Sequence, residues 1–294
     1  MSLPGALTVP RLSSPAIRRG LRDGLVVAGL LFAAYLFVVA APQAGTFGFD
    51  AFAYWAVDLT DPYGILAGGL GAFTYTPVAA RAAAPFALLA FWQFLFLWDA
   101  LLVGTLIWLG GRRTLMLLAF PPVAIELYHG NIHLLIAAAI VLGFRYPAAW
   151  AFPVLTKVTP GIGLLWFAAR REWRSLGIAL VAIGVLTALS LLIDGRLWSD
   201  WLSSIVATAD GAPLNQFNIP IPLWLRLPVA ALVVIWGART DRYWTLPVAV
   251  ALAMPALWIT AFAVLAAIPR STRLHQDRSS WTRPFARTGR HLAW

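Results

Sequence analysis

The sequence predicts an all-α polytopic membrane protein, a bundle of about ten transmembrane or half-membrane helices with a long first outer loop. Three observations carry that reading. Of the 294 residues 61% are hydrophobic and 12% charged, with a mean hydropathy of +0.78, whereas a soluble domain averages roughly 25% charged residues. The Arg residues fall in clusters along the chain, separated by apolar runs. Each interval between clusters also has a polar or Pro/Gly-broken middle, as a pair of crossings requires. The domain division that follows is a basic cytoplasmic N-terminus (1–23), one integral membrane domain (24–268) and a basic cytoplasmic tail (269–294).

The net charge of +10 implies nucleic acid only where basic residues build a soluble face. Here they are spaced along a hydrophobic chain, so they set orientation in the membrane and no nucleic-acid partner is expected. The absence of Cys excludes disulfides, thiolate metal sites and Cys nucleophiles. Lys157 is the only Lys among 22 basic residues.

The first apolar run, Gly24–Ala41, follows Arg11, Arg18, Arg19 and Arg22, which places its N-terminal end in the cytoplasm. A signal peptide ending near Ala40-Ala41 is the alternative, but the run fits a first spanning helix. Further clusters are Arg112/Arg113, Arg145, Arg170/Arg171/Arg174, Arg239/Arg242 and a tail from Arg270 to Arg290. With all of them inside, an even number of crossings separates neighbours. Gly24–Ala41 then pairs with Phe91–Leu109 around the outer loop Pro42–Ala90. Thr114–Leu127 pairs with Ile132–Phe144, broken at Tyr128-His129-Gly130-Asn131. Pro147–Thr156 pairs with Gly161–Ala169, broken at Lys157-Val158-Thr159-Pro160. Ser175–Ile193 pairs with Ile219–Gly237 around a polar loop, Asp194–Asn218. Trp244–Ala253 pairs with Leu257–Ile268, broken near Pro255.

Three of these hairpins are too short to cross twice. A helix of about 13 residues covers roughly 20 Å against a hydrocarbon core of about 30 Å. Their tips therefore sit below the outer surface, where irregular backbone is tolerated only inside protein or along a wet cavity. The alternative makes the third and fifth runs single spans. In the outer loop Phe52, Trp55 and Leu59 at helical spacing predict an amphipathic helix over Asp50–Leu59. Pro77–Leu89 predicts a second short embedded helix. The tail is expected to attract anionic headgroups.

Several residues stand out for chemistry. Asp50 is the first acid beyond the first span, set among aromatics. Desolvation there raises a carboxylate toward the range of a general base, and the plain alternative is a loop Asp or an N-cap. Lys157 interrupts an apolar run next to Pro160, a place where a charge costs roughly 2.5–3.5 kcal/mol on insertion scales and so marks an anion site such as phosphate. Its alternative is snorkelling to the interface. His129 and His133 are four apart and would share a helical face. With no third ligand they fit a metal poorly, and with Asn131 they suit sugar hydroxyls or a phosphate, the plain alternative being packing or capping. Thr74-Tyr75-Thr76-Pro77 positions substrate through Tyr75 or is only a turn. Arg81 and Arg226 fall on the outer side, where each reaches either a phosphate or the interface. Asp99 and Glu126 lie within apolar runs, where they bond to neighbouring helices.

An Asp after the first helix, Tyr75-Thr76-Pro77, Gly130-Asn131 and Lys157 with Pro160 fall in an order that resembles the GT-C-type glycosyltransferases using polyprenol-phosphate sugars. Glycosyltransferase family 87 is the nearest, over roughly Phe47–Trp173. The chain departs in having Tyr-Thr-Pro where Tyr-Pro-Pro is usual, and His129 before Gly-Asn. The resemblance implies a GT-C-like bundle and a polyprenol-phosphate hexose donor, often mannose. It implies inverting transfer to a lipid or glycan acceptor on the non-cytoplasmic face of the inner membrane. It assigns Asp50 as base and maps the family's Tyr-x-Pro onto Tyr75 and Pro77, its Gly-Asn onto Gly130 and Asn131, and its Lys-x-x-Pro onto Lys157 and Pro160. Lys157 then falls on the donor phosphate, and Tyr75 and Asn131 on substrate. Beside the resemblance, Arg81 is expected as a second phosphate contact and His129 and His133 as substrate contacts, with no metal and no cofactor. A lipid or solute transporter and a non-catalytic lipid-binding subunit are the competing readings.

Overall fold

A computed structural model describes residues 15–211 and 219–273. Arg11, the loop end 212–218 with Asn218, and Arg278, Arg283, Arg287 and Arg290 of the tail lie outside the described residues. Among the described residues the fold is helical throughout. The first two long helices are α1 (Pro15–Tyr35), which runs on through Leu36–Ala40 and Ala41–Ala44, and α4 (Phe91–Gly110). Between them in the outer loop lie α2 (Phe49–Trp55) and α3 (Pro77–Ala83). Then follow α5 (Thr114–Leu118), α6 (Pro121–His129), α7 (His133–Gly143), α8 (Ala151–Lys157) and α9 (Leu165–Ala169). The chain continues with α10 (Trp173–Ile193), α11 (Arg196–Gly211), α12 (Leu223–Arg239), α13 (Thr245–Leu252) and a 3₁₀ stretch, Ile259–Ala267.

Three described helices are long and apolar enough to cross a membrane: Pro15–Ala44, Phe91–Leu118 and Trp173–Ile193. A fourth crossing is made if α6 and α7, bent by 113° at their junction, count as one broken span. The first and third are only 11% buried over their apolar windows, so they present side chains outward, as a lipid solvent allows. The core lies elsewhere. α7 is apolar on every side, with Leu134, Ile136, Ala137 and Ile140 fully buried, and it packs on Ile259–Ala267. Small residues let spans approach: a Cβ at Gly29 of α1 would meet the Ala119 carbonyl oxygen at 1.9 Å, and none is there.

The breaks near 128–131, 157–160 and 255 lie where the sequence places them. Other boundaries move. Thr114–Leu118 extends the α4 stretch instead of opening the next hairpin, because Pro121-Pro122 start a new helix and Gly111–Arg113 make only a 3₁₀ turn. The polar loop 194–218 contains α11, whose Leu197 and Trp201, four apart, are buried. The expected Asp50–Leu59 helix stops at Trp55. It buries Ala51 and Tyr54 most deeply, while Phe52, Trp55 and Leu59 are half-buried. The tail's first residues, 268–273, are helical and docked. Arg270 donates to the Trp108 carbonyl at 2.6 Å and lies over its ring, and Arg273 donates to Gly110 at 3.1 Å.

Two charges find different roles from those expected. Arg226 reaches neither a phosphate site nor the interface. It is buried and donates to the carbonyls of Ile221 (2.8 Å), Leu252 (2.6 Å), Met254 (2.7 Å) and Pro255 (3.1 Å), tying α12 to the break after α13. Its planar fork of donors is suited to that task. Asp99 bonds to no neighbouring helix: its Oδ1 is buried without a hydrogen-bond partner among the described residues.

Candidate active site

The site forms where α2 meets the turn between α6 and α7. Gly48 starts α2 and donates its amide to the Tyr128 carbonyl at 2.9 Å. Gly130 ends α6 with φ +66°, a left-handed conformation that other residues adopt at a cost, and its carbonyl takes a 2.7 Å hydrogen bond from Trp98 Nε1. A Cβ on Gly130 would stand 2.7 Å from that of Ala51, so the turn and α2 touch directly.

This contact places Asp50 beside Asn131. Asn131 Nδ2 donates to Asp50 Oδ2 at 2.6 Å, and His129 Nδ1 lies 4.0 Å from the same oxygen. Asp50 Oδ1 takes no hydrogen bond among the described residues. The Asp50 side chain is 28% exposed and that of His129 25%. Burial pushes the Asp50 carboxyl up from the usual carboxylate range, and the Glu126 charge adds to this. His129, the Asn131 hydrogen bond and Lys157 pull the other way.

The network continues from Asn131. Its Oδ1 accepts from the Ile132 amide at 2.7 Å and from the Tyr54 hydroxyl at 3.3 Å. The Tyr54 and Tyr75 hydroxyls are 2.9 Å apart, and Lys157 Nζ lies 5.3 Å from the centre of the Tyr75 ring. Tyr75 is held from both sides: its carbonyl accepts from Tyr63 at 3.0 Å, and the hydroxyl of the next residue, Thr76, donates to the Leu155 carbonyl on the Lys157 helix. The Lys157 ammonium has neither a hydrogen bond nor an ion pair among the described residues. Val158 follows it with φ +44° and ψ −60°, a strained backbone for a β-branched residue that ends α8 at Lys157.

Asp50, His129, Asn131, Tyr75 and Lys157 are thus brought into one neighbourhood. His133 and Arg81 are not. His129 and His133 do not share a helical face, because the chain bends between them and His133 opens α7. His133 is 3% exposed, and its Nδ1 lies 2.9 Å from Glu126 Oε2. Glu126 also accepts the first amides of α7, from His133 and, at 3.2 Å, Leu134. A carboxylate facing a helix N-terminus is the favourable orientation and fixes the corner. Arg81 stands 3.6 Å from Asp194. A shallow apolar groove of about 700 Å³ along the Arg174–Leu186 face of α10 shares no residue with the network.

Sequence reasoning missed Tyr54 altogether and took Glu126 only as a polar contact. Tyr54 stands four residues after Asp50 on a predicted helix, which puts it on the same face, and that spacing was the available signal. Nothing in the sequence marks Trp98 as the donor to Gly130.

The family model described as Glycosyltransferase family 87 matches residues 73–279. That span holds Tyr75, Arg81, His129, Asn131, His133 and Lys157, and it begins after Asp50. No curated protein and no solved structure matches the chain.

Proposed function

The chain belongs to glycosyltransferase family 87, and from that premise we propose that it transfers a hexose, mannose foremost, from a polyprenol-phosphate donor to a hydroxyl of a lipid or glycan acceptor. The observation that carries the reading is the pairing of a cation without an ion pair and a carboxylate oxygen without a hydrogen bond among the described residues. The hydrogen-bonded side chains Tyr75, Tyr54, Asn131 and Asp50 Oδ2 run between them, with Lys157 Nζ 5.3 Å from the centre of the Tyr75 ring at one end and the Asp50 carboxylate at the other. An ammonium held in an apolar segment without a counter-ion is suited to an anion that arrives with the substrate.

In the proposed reaction the acceptor hydroxyl gives its proton to Asp50 Oδ1 as its oxygen bonds to the anomeric carbon. The bond from that carbon to the phosphate oxygen breaks, and the electron pair leaves with polyprenyl phosphate. Attack opposite the leaving group inverts the anomeric centre. A phosphate leaving group needs charge stabilisation more than protonation, which Lys157 supplies. One carboxylate therefore suffices, unlike the two of a glycosidase. Arg81 is a second phosphate contact in this proposal once it exchanges Asp194 for the donor. His129 binds sugar or acceptor hydroxyls beside Asp50, and His133 acts through the Glu126 corner. The chemistry as written uses neither a metal nor a cofactor. Transfer on the non-cytoplasmic face of the inner membrane, with both termini cytoplasmic, completes the proposal.

The test is transfer of labelled mannose from polyprenol-phosphate mannose by the purified protein in detergent or nanodiscs. Turnover with inversion supports the reading. Movement of label across sealed vesicles with no polyprenol donor and no transfer product contradicts it in favour of transport.

A further inference from the structure

We propose that Tyr54 is a positioning residue that decides which oxygen of Asp50 takes the proton, by holding the Asn131 amide in one orientation. The inference rests on the reading of Asp50 as the base. Asn131 Oδ1 accepts two hydrogen bonds, from the Ile132 amide at 2.7 Å and the Tyr54 hydroxyl at 3.3 Å, and both fix the amide so that Nδ2 faces Asp50. A tyrosine hydroxyl has one hydrogen to give. Tyr54 gives it to Asn131, so at the 2.9 Å contact Tyr75 is the donor and Tyr54 the acceptor. The donors then point one way, from Tyr75 to Tyr54 to Asn131 to Asp50 Oδ2.

An oxygen accepting a 2.6 Å hydrogen bond from an N–H is a poor place for a proton, so the proton goes to Oδ1, the oxygen without a hydrogen bond among the described residues. Tyr54 stands on the same helix as Asp50, and through Tyr75 it also reaches the ring beneath Lys157. One buried hydroxyl therefore sets both the direction of the base and its register with the cation. Burial keeps the Tyr54 hydroxyl protonated, raising it well above its ordinary value. The other groups acting on Asp50 are His129 and Glu126 on α6 and Lys157 on α8.

The experiment is an infrared titration of the Asp50 carboxyl band in the full-length protein in nanodiscs, the band being identified by its loss in Asp50→Asn. In Tyr54→Phe, Asn131 Oδ1 keeps only the Ile132 amide, so its amide group is held less firmly against Asp50 and support for the ionised carboxylate weakens. The titration midpoint is expected to rise by about one pH unit, the equivalent of one hydrogen bond. Tyr75→Phe, which removes only the far end of the chain, should move it less and in the same direction, and it serves if Tyr54→Phe fails to fold. Transfer by Tyr54→Phe should fall about tenfold in kcat with donor KM unchanged, a split that general loosening of the fold would not give. A midpoint at the wild-type position in both folded variants overturns the role of Tyr54, whatever their turnover. The band needs no turnover, so a shifted midpoint in a protein that transfers no sugar supports the positioning while contradicting the transferase reading.

Discussion

Replacing Gly130 by alanine tests the contact on which the site is built. Gly130 has φ +66°, where a Cβ costs roughly 1–2 kcal/mol. That Cβ would also stand 2.7 Å from the Cβ of Ala51. Ordinary carbon–carbon contact is about 3.5–4.0 Å, so the turn and α2 must part by about 1 Å. Asn131 follows Gly130 and Asp50 precedes Ala51, so the separation falls on their 2.6 Å hydrogen bond. Lengthened by about 1 Å, that bond is lost. The expected cost is about 1–3 kcal/mol of stability, and about a hundredfold in kcat from a misplacement of that size. Thermal unfolding in detergent and transfer from polyprenol-phosphate mannose measure the two effects. Ala51→Gly in the Gly130→Ala background removes the opposing Cβ and should restore activity at least about tenfold, while the φ penalty in stability persists. Wild-type turnover in Gly130→Ala, or no recovery in the double variant, would refute the reasoning.

Other outcomes follow from the same geometry. Lys157→Ala should weaken donor binding about tenfold to a hundredfold, as loss of a charge-assisted contact implies, and unchanged affinity in a titration with donor would remove the phosphate role. Arg226→Ala leaves the carbonyls of Ile221, Leu252, Met254 and Pro255 without their donor. It should lower stability by about 3 kcal/mol or more, and a thermal midpoint within a degree of wild type would contradict that accounting. Asp50 is raised by burial and a base must be ionised, so transfer should rise with pH through a midpoint above the ordinary carboxylate value. In stability the sign is opposite. A carboxyl held above its unfolded value binds its proton more tightly when folded, so stability falls as pH climbs from the ordinary value through the raised one. Thermal midpoints of wild type and Asp50→Asn should meet in acid and separate at neutral pH, with Asp50→Asn the higher, and the reverse order would contradict the burial.

Much of this was legible in the chain because the signals were local. A lone Lys before Pro160, a His-Gly-Asn step and an Asp beyond a membrane-length run each declare a break or a charge in apolar surroundings, and the structure brings Asp50, His129, Asn131, Tyr75 and Lys157 together. What was not legible depends on contacts across the fold. Glu126 was visible as an acid in an apolar run, but its use as the cap of α7 follows from a 113° bend that no spacing encodes. That bend also turned His133 away from His129. Arg226 read as an outer charge because carbonyl acceptors far along the chain leave no mark in sequence. α11 reads as loop because its polar residues mask a stripe in which, among the described side chains, Leu197 and Trp201 are buried.

The central claim is that Asp50 is the base in sugar transfer, and the most direct measurement is single-turnover transfer from polyprenol-phosphate mannose by Asp50→Asn beside the wild type. Asn keeps the size of the side chain and an oxygen for Asn131, so the fold and donor binding should persist. Turnover is predicted to fall at least about a thousandfold, in line with loss of both the base and its charge. Donor affinity near wild type with turnover undiminished would contradict the account.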